Sequence, residues 1–274
     1  DSITIIASGS DSGGAGAAGA LAVGTVTANA IETVNLQSTT ADADGAADST
    51  MTLSADAATT VNVSGANGLD LTLNAASVAV VTVNASTMTG DLTVAGLATT
   101  TNITGGTGAD VISTAAASAT LVGGEGNDQL SLTATSTLST LTGGAGNDTI
   151  TFLTGAATSV TVNGGAGNDN LSVDTTQTTI TYDGGVGNDT LTLANGDYSA
   201  AAVSLTGVEI LSVTTGGATT LDASTVSGQT LVLTGNAAAG DVTIAMDGAT
   251  LDASNLVSDS AIGITNTVAA IAGV

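Results

Sequence analysis

The chain contains no lysine, arginine, histidine, cysteine or proline, and its only aromatic residues are one phenylalanine and two tyrosines in 274 residues. The lack of cysteine excludes disulfide bonds and thiol chemistry. The lack of basic side chains excludes a positive patch for nucleic acid or for an anionic membrane surface. No apolar run reaches the roughly 18 residues that a membrane-spanning helix needs. We therefore expect neither a nucleic-acid partner nor a membrane span.

The same absences leave few groups that could act as catalysts. Only Asp/Glu pairs and unassisted serines remain, and no serine lies in a recognisable nucleophile motif. A carboxylate pair could hydrolyse sugars, but such sites normally include aromatic platforms, for which this chain has too few aromatic residues. We therefore expect that the protein is not an enzyme.

Carboxylates supply almost all of the charge. The 24 Asp and Glu residues give a formal net charge of −24 at pH 7, and no basic side chain can pair with them. Because like charges repel one another in a compact state, a fold must either spread these groups through solvent or neutralise them with bound cations. Hydrophobic residues make up 42% of the chain, so the composition is not that of a disordered protein.

A short glycine motif recurs through the middle of the chain. It reads GGEGNDQL at 123–130, GGAGNDTI at 143–150, GGAGNDNL at 164–171 and GGVGNDTL at 184–191, with a looser copy, GGTGADVI, at 105–112. The first glycines of successive copies are 18, 20, 21 and 20 residues apart. A fixed period of this length is typical of a repeat architecture in which each unit stacks on the one before it.

Each period also holds two short apolar segments that alternate with polar residues. One column of apolar residues contains Val63, Val83, Ile103, Leu121, Leu141, Val162 and Tyr182, and the other contains Leu71, Leu92, Ile112, Leu130, Ile150, Leu171 and Leu191. A period of two with frequent Thr and Val indicates strands that bury one face. The sequence therefore predicts an all-β fold, a parallel β-solenoid or β-roll with about 20 residues per coil.

The sixth residue of each motif forms an acidic column when the coils are stacked, because Asp110, Asp128, Asp148, Asp169 and Asp189 occupy equivalent positions. Two such charges about 4.8 Å apart repel by roughly 3.5 kcal/mol at an effective dielectric constant near 20. Calcium would relieve this repulsion, since it takes six to eight oxygens from carboxylates and carbonyls. The glycines give the turn access to positive φ, and the preceding asparagines tolerate the left-handed region. These asparagines, which we include among the predicted metal-site residues, are Asn127, Asn147, Asn168 and Asn188.

The GGxGxD pattern resembles the calcium-binding nonapeptide of repeats-in-toxin (RTX) proteins, closely over residues 103–193. The resemblance implies a parallel β-roll, several Ca²⁺ ions held between turns, and type I secretion. It also implies that the five aspartates are ligands, together with the carbonyls of glycines at the second and fourth motif positions. These glycines are Gly106, Gly108, Gly124, Gly126, Gly144, Gly146, Gly165, Gly167, Gly185 and Gly187.

This chain departs from tandem nonapeptides on the opposite side of the roll. The turns there are plain, as in STAAASATL at 113–121, so we expect calcium turns on one side only. Asp70 and Asp183 are weaker candidates for additional ligands, and the acidic stretch at 41–48 is better explained as a solvated loop, because it lacks the distal Glu of an EF-hand.

We expect one solenoid domain over residues 1–274. Within it, residues 1–60 are less regular, 61–200 form RTX-like calcium-binding coils, and 201–274 form degenerate coils. The Ala/Thr/Val-rich, lysine-free composition looks most similar to bacterial S-layer and other surface-assembly members of the RTX group.

The functional expectation is a secreted calcium-binding structural protein at the bacterial cell surface. It would self-assemble into a surface layer or an extracellular fibre through calcium and through apolar terminal segments, SITII at 2–6 and IGITNTVAAIAGV at 262–274. A cell-surface glycan is a further expected partner. The alternative is a calcium-stiffened β-roll module of an adhesin or of a larger secreted enzyme.

Overall fold

The computed structural model describes residues 1–7, 22–39, 49–135, 137–152, 159–173, 179–194, 196–198, 202–213, 219–222, 225, 231–234, 242–246, 256–258 and 264–268. The described part is built from 26 short strands arranged in three sheets, and every strand pair is parallel. The acidic stretch at 41–48 and most of 262–274 lie outside the described residues.

Two long sheets form the two walls of a solenoid. The first sheet contains β1 (Ser2–Ala7), β3 (Thr33–Ser38), β5 (Thr60–Gly65), β7 (Thr82–Met88), β9 (Asn102–Thr104), β11 (Thr120–Glu125), β13 (Ser139–Ala145), β15 (Val160–Ala166), β17 (Thr179–Val186) and β20 (Ala202–Thr206), in that order. The second contains β2 (Ala22–Thr27), β4 (Ser49–Ser54), β6 (Leu69–Leu73), β8 (Leu92–Gly96), β10 (Val111–Thr114), β12 (Gln129–Leu132), β14 (Thr149–Phe152), β16 (Asn170–Val173), β18 (Thr190–Leu193), β21 (Ile210–Val213), β23 (Leu231–Thr234) and β25 (Leu256–Ser258).

Successive strands up to β18 alternate between these sheets, so that the chain coils and each strand pairs with its counterparts one coil before and after. The predicted all-β solenoid with about 20 residues per coil is therefore confirmed. A third sheet, which the sequence did not predict, begins near the C-terminal end. It contains β19 (Asp197–Tyr198), β22 (Thr219–Asp222), β24 (Val242–Met246) and β26 (Ile264–Val268).

The core lies between the two long sheets and consists of stacked apolar columns. Leu121 pairs in register with Ile103 and Leu141, and all three side chains are fully buried. Burying a Leu or Ile side chain stabilises a fold by about 1.5–3 kcal/mol, and the columns repeat this gain in every coil. Thr120 and Val122 alternate with Leu121 and face outward, as the period of two predicts.

The predicted columns are wrong in register at two places. Val83 pairs with Val61 and not with Val63. Ile112 pairs with Val94 and not with Leu92. Each error is two residues, so the residue chosen still points inward; hydrophobicity identifies the buried face but does not choose between adjacent inward positions.

The two sides of the solenoid close differently. The glycine motifs connect the first-sheet strands β9, β11, β13, β15 and β17 to the second-sheet strands that follow them. On the opposite side, buried hydroxyls close the turns: the Ser77 Oγ accepts the Ala55 N–H at 3.0 Å and donates to the Leu53 carbonyl at 2.9 Å. The Ser139 Oγ accepts the Ala119 N–H at 2.9 Å in the same way. The motif side is thus the side that buries carboxylates.

Candidate metal centre

The five motif aspartates form one continuous ladder inside the motif side of the solenoid. Each is between 0 and 1% exposed. The main-chain N–H of each donates to the side chain of the next coil, at 2.8 Å in every case. The pairs are Asp110 to Asp128 Oδ1, Asp128 to Asp148 Oδ1, Asp148 to Asp169 Oδ1 and Asp169 to Asp189 Oδ1. The structure therefore brings the predicted aspartates together in the predicted register.

The second carboxylate oxygen has no hydrogen-bond partner in four of the five aspartates. The Oδ2 atoms of Asp128, Asp148, Asp169 and Asp189 are buried and unpartnered among the described residues. A buried oxygen that carries negative charge is costly unless a proton or a cation satisfies it. These four atoms are thus the chemically unsatisfied part of the ladder.

Each unpartnered Oδ2 lies beside the same first glycine of the motif as a backbone carbonyl oxygen of the next coil. The Asp128 Oδ2 lies 2.1 Å, and the Gly143 carbonyl oxygen 2.7 Å, from the point that a Cβ atom on Gly123 would occupy. The corresponding distances at Gly143 are 2.2 Å to the Asp148 Oδ2 and 2.6 Å to the Gly164 carbonyl oxygen. The first glycine of the motif is therefore required because any side chain would fill the space in which these oxygens converge.

Burial raises the pKa of all five aspartates. It raises the pKa of Asp128 to about 7 and that of Asp169 to about 6, although the backbone N–H groups of the preceding coil oppose the shift. The neighbouring carboxylates Asp110 and Asp148 raise the pKa of Asp128 further. Without a cation, part of this ladder is therefore protonated near neutral pH.

The residues of the ladder fit calcium. Carboxylate and carbonyl oxygens are the ligands that Ca²⁺ prefers, and the unpartnered Oδ2 atoms are available to bind it. Among the described residues no group of three or more acidic side chains could hold a metal ion together. A cation between two coils would therefore draw the rest of its oxygens from the backbone and from water.

Asp110, in the looser motif copy, differs from the other four aspartates. Its Oδ2 accepts the Gly106 N–H at 2.6 Å and its Oδ1 accepts the Leu92 N–H at 2.7 Å. Gly106 and Gly108 also lack the positive φ of the corresponding glycines in the other copies. Both oxygens of Asp110 are thus satisfied by backbone donors.

The glycines at the second and fourth positions of the four GGxGND copies adopt positive φ, as predicted. They are Gly124, Gly126, Gly144, Gly146, Gly165, Gly167, Gly185 and Gly187, with φ between 101° and 151°. At Gly144, with φ 125°, a Cβ would lie 2.0 Å from the Gly124 carbonyl oxygen of the preceding coil. These glycines therefore allow close contact between the backbones of stacked turns.

The asparagines play a different part from the one predicted. None of the four has positive φ, and they form an exposed ladder of their own. The Asn147 Oδ1 accepts the Asn168 N–H at 2.6 Å, and the Asn127 and Asn168 Oδ1 atoms accept the N–H groups of Asn147 and Asn188 at 2.7 and 2.8 Å. Their amide oxygens thus accept N–H groups of the next coil, whereas the buried carboxylates beside them accept N–H groups of the preceding coil.

Two further carboxylates take part in these ladders, and the sequence analysis missed both: Glu209 extends the aspartate ladder, and Asp91 extends the asparagine ladder. The Glu209 Oε2 accepts the Asp189 N–H at 2.8 Å, and the Asp91 Oδ1 accepts the Ala109 N–H at 2.8 Å. The available signal was spacing: Glu209 follows Asp189 by 20 residues, and each of the two acids directly precedes a second-sheet strand.

The two weaker candidates are separated by the fold. Asp70 lies on the outer face of the second sheet, paired in register with Thr50 and Thr93, away from the ladder. Asp183 lies at the C-terminal end of the ladder. The pKa of Asp189 is raised mainly by burial, less by the charge of Glu209, and least by the charge of Asp183.

No family model matches the chain, and neither does any curated protein or solved structure. In the described part of the chain, no helix is long and apolar enough to span a membrane. The functional assignment therefore depends on the geometry of the site.

Proposed function

We propose that the protein is a secreted, calcium-binding structural protein whose coils are held together by ions between successive turns, and which assembles into a surface layer or an extracellular fibre. The observation that carries this proposal is the set of four buried, unpartnered Oδ2 atoms, each lying beside the same glycine as a carbonyl of the next coil. Calcium supplies the positive charge that this acidic ladder lacks.

The chain's own residues prepare the binding space. The backbone N–H of one coil holds Oδ1 of the next aspartate at 2.8 Å, so the carboxylate has a fixed orientation before any ion arrives. The first glycine keeps the space beside Oδ2 open, and the glycines with positive φ bring the carbonyls of adjacent turns close together. A preorganised set of oxygens loses less conformational entropy when it binds an ion.

A structural role suits this chemistry better than a catalytic one. The carboxylates are buried inside the wall, where their Oδ1 atoms are engaged by the backbone. The open groove beside Leu138, on the outer face of the first sheet, is lined otherwise by Thr, Asn, Ser and Ala residues, none of which titrates near neutral pH. We therefore propose that the ions stiffen the solenoid and take no part in a reaction.

Assembly between chains is proposed to use parallel strand addition. β1 has no neighbour on one side of the first sheet among the described strands, and its Ile3 and Ile6 are 37% and 57% exposed. An exposed apolar edge strand is a template for pairing with another chain. The excess of negative charge opposes such association until calcium neutralises the ladder.

Negative-stain electron microscopy of the purified chain, in calcium and again after excess chelator, tests the proposal. We expect filaments or sheets in calcium that dissolve on chelation, and calcium bound by the chain in equilibrium dialysis. Monodisperse rods that bind calcium would favour the alternative of a stiffened module of an adhesin or of a larger secreted enzyme. A chain that binds no calcium would refute both.

A further inference from the structure

The ladder contains five gaps between coils from Asp110 to Glu209. The Oδ2 atom is unpartnered in four of them, which follow Asp128, Asp148, Asp169 and Asp189, and the last of these four ends on a glutamate. In the first three of these, the unpartnered Oδ2 and the first-glycine carbonyl of the next coil lie beside the same glycine, and the next aspartate closes the gap. In the fourth, the Asp189 Oδ2 lies 2.7 Å, and the Gly207 carbonyl oxygen 2.1 Å, from the Cβ point of Gly184. The oxygens thus converge in the fourth gap as they do in the others.

Glu209 takes the place of the aspartate that the fourth gap lacks. Gly207 follows Gly184 in register, since Tyr182 pairs with Leu205 and Asp183 with Thr206. One residue separates Gly207 from Glu209, whereas four separate the corresponding Gly184 and Asp189, so the turn is shorter. The residues that follow Asp189 and Glu209, Thr190 and Ile210, still pair in register, and the Glu209 Oε2 accepts the Asp189 N–H at the 2.8 Å found throughout the ladder.

We propose that Asp189, the Gly207 carbonyl and Glu209 form a fourth calcium site, completed by a coil that has no glycine motif, and that Asp110, although it matches the motif, provides no site of this kind with the coil after it. This inference rests on the proposed calcium-binding function. It shifts the set of sites along the chain by one coil, from the loose motif copy at the N-terminal end to a coil that has no motif.

Two observations separate the ends of the ladder. At Asp189 one carboxylate oxygen is buried and without a partner, and Asp183 adds a second nearby charge: its Oδ1 lies 3.4 Å from the Cβ point of Gly207. At Asp110 both oxygens accept backbone N–H groups, at 2.6 and 2.7 Å. A cation at Asp110 would have to displace these donors, whereas one at Asp189 would meet an oxygen that needs a partner.

The number of calcium ions bound per chain, measured by equilibrium dialysis with elemental analysis, tests the site. Glu209→Gln removes the charge and retains an oxygen that can accept the Asp189 N–H, so the fold is preserved. We expect this variant to bind one ion fewer than the parent chain, and Glu209→Asp, whose side chain is shorter, to bind the last ion more weakly. Glu125→Gln, an exposed residue of a motif turn, and Asp110→Asn are expected to keep the full count.

Terbium luminescence locates the lost ion. Tyr182 is buried at this end of the ladder, two residues before Gly184 and paired in register with Leu205, two residues before Gly207. Tyrosine-sensitised emission from bound Tb³⁺ should therefore fall more in Glu209→Gln than in Asp128→Asn. An unchanged ion count in Glu209→Gln, or loss of an ion in Asp110→Asn but not in Glu209→Gln, would overturn the inference. Absence of calcium from the parent chain would instead refute the proposed function.

Discussion

The main-chain N–H of Asp128 donates to the Oδ1 of Asp148 at 2.8 Å, across the gap between two successive coils. The same bond recurs from coil to coil, so each aspartate is held by its carboxylate from one side and by its own N–H from the other. The ladder is therefore part of the stacking of the solenoid as well as a candidate binding site. Variants of its residues should affect stability and ion binding in separable ways.

Asp148→Asn should have opposite effects with and without calcium. In the calcium-free protein the amide carries no charge to desolvate and can donate where the carboxylate Oδ2 has no partner, so we expect a higher Tm than in the parent chain. In saturating calcium the variant loses a charged ligand and should have the lower Tm. Thermal unfolding followed by circular dichroism, in chelator and in calcium, measures both.

Glu125→Gln is the matched control for these opposite changes in Tm, because it removes one charge from an exposed position of a motif turn. We expect its Tm to change little in either condition. If Asp148→Asn lowered the Tm in chelator as well, the carboxylate would be stabilising the apo fold on its own, and the argument from an unsatisfied oxygen would fail.

Gly144→Ala should destabilise the solenoid strongly. The new Cβ would lie 2.0 Å from the Gly124 carbonyl oxygen at a φ of 125°, so two backbones would have to separate. Gly24→Ala provides the comparison, since Gly24 also has positive φ, 73°, but no atom lies within 4 Å of its Cβ point. We expect about 1 kcal/mol of strain at Gly24 and a distinctly larger loss at Gly144, measured by urea unfolding. Similar losses at both positions would mean that φ strain alone explains why glycine recurs at this position of the turn.

The repeat could be read from the sequence because every coil repeats the same physical problem. Alternation of apolar and polar residues identified the buried face, and the fixed spacing of the motif aligned the aspartates into a column. Both signals are local and periodic. They predict the solenoid and the ladder without knowledge of any contact between distant residues.

Exceptions to the repeat could not be predicted in this way. Asp110 matches the motif, and only the direction of the Gly106 N–H reveals that its Oδ2 is already satisfied. Glu209 belongs to the ladder without a motif, because the pairing of β18 with β21 places it beside Asp189 after a shorter turn. Val83 pairs with Val61, although Val63 is an equally apolar, buried residue of the same strand. Each exception is a property of two coils together and leaves little trace in either one alone.

Asn147→Ala should lower stability without changing the number of bound ions. The Asn147 Oδ1 accepts the Asn168 N–H at 2.6 Å at an exposed position, so its removal should cost about 1 kcal/mol. Asn147→Asp keeps an acceptor for this N–H and should recover most of the loss. Urea unfolding measures the stability, and equilibrium dialysis counts the ions. A lower calcium count in Asn147→Ala would instead make the asparagines ligands.

The pH dependence of stability should reverse when calcium is added. In the calcium-free protein the pKa of Asp128 is raised to about 7 and that of Asp169 to about 6, so the folded state binds more protons than the unfolded state between about pH 4 and pH 7. The stabilisation is complete below the unfolded-state pKa and is lost as the pH rises through the folded-state values. The free energy of unfolding should therefore fall from pH 4.5 to pH 7.5.

Calcium binds only the deprotonated carboxylates, so in excess calcium the free energy of unfolding should rise over the same interval. Urea titrations at both pH values, with calcium and with chelator, measure the four free energies. If the calcium-free protein were more stable at pH 7.5, the ladder would be ionised and satisfied without a cation, and the structural case for bound calcium would be lost.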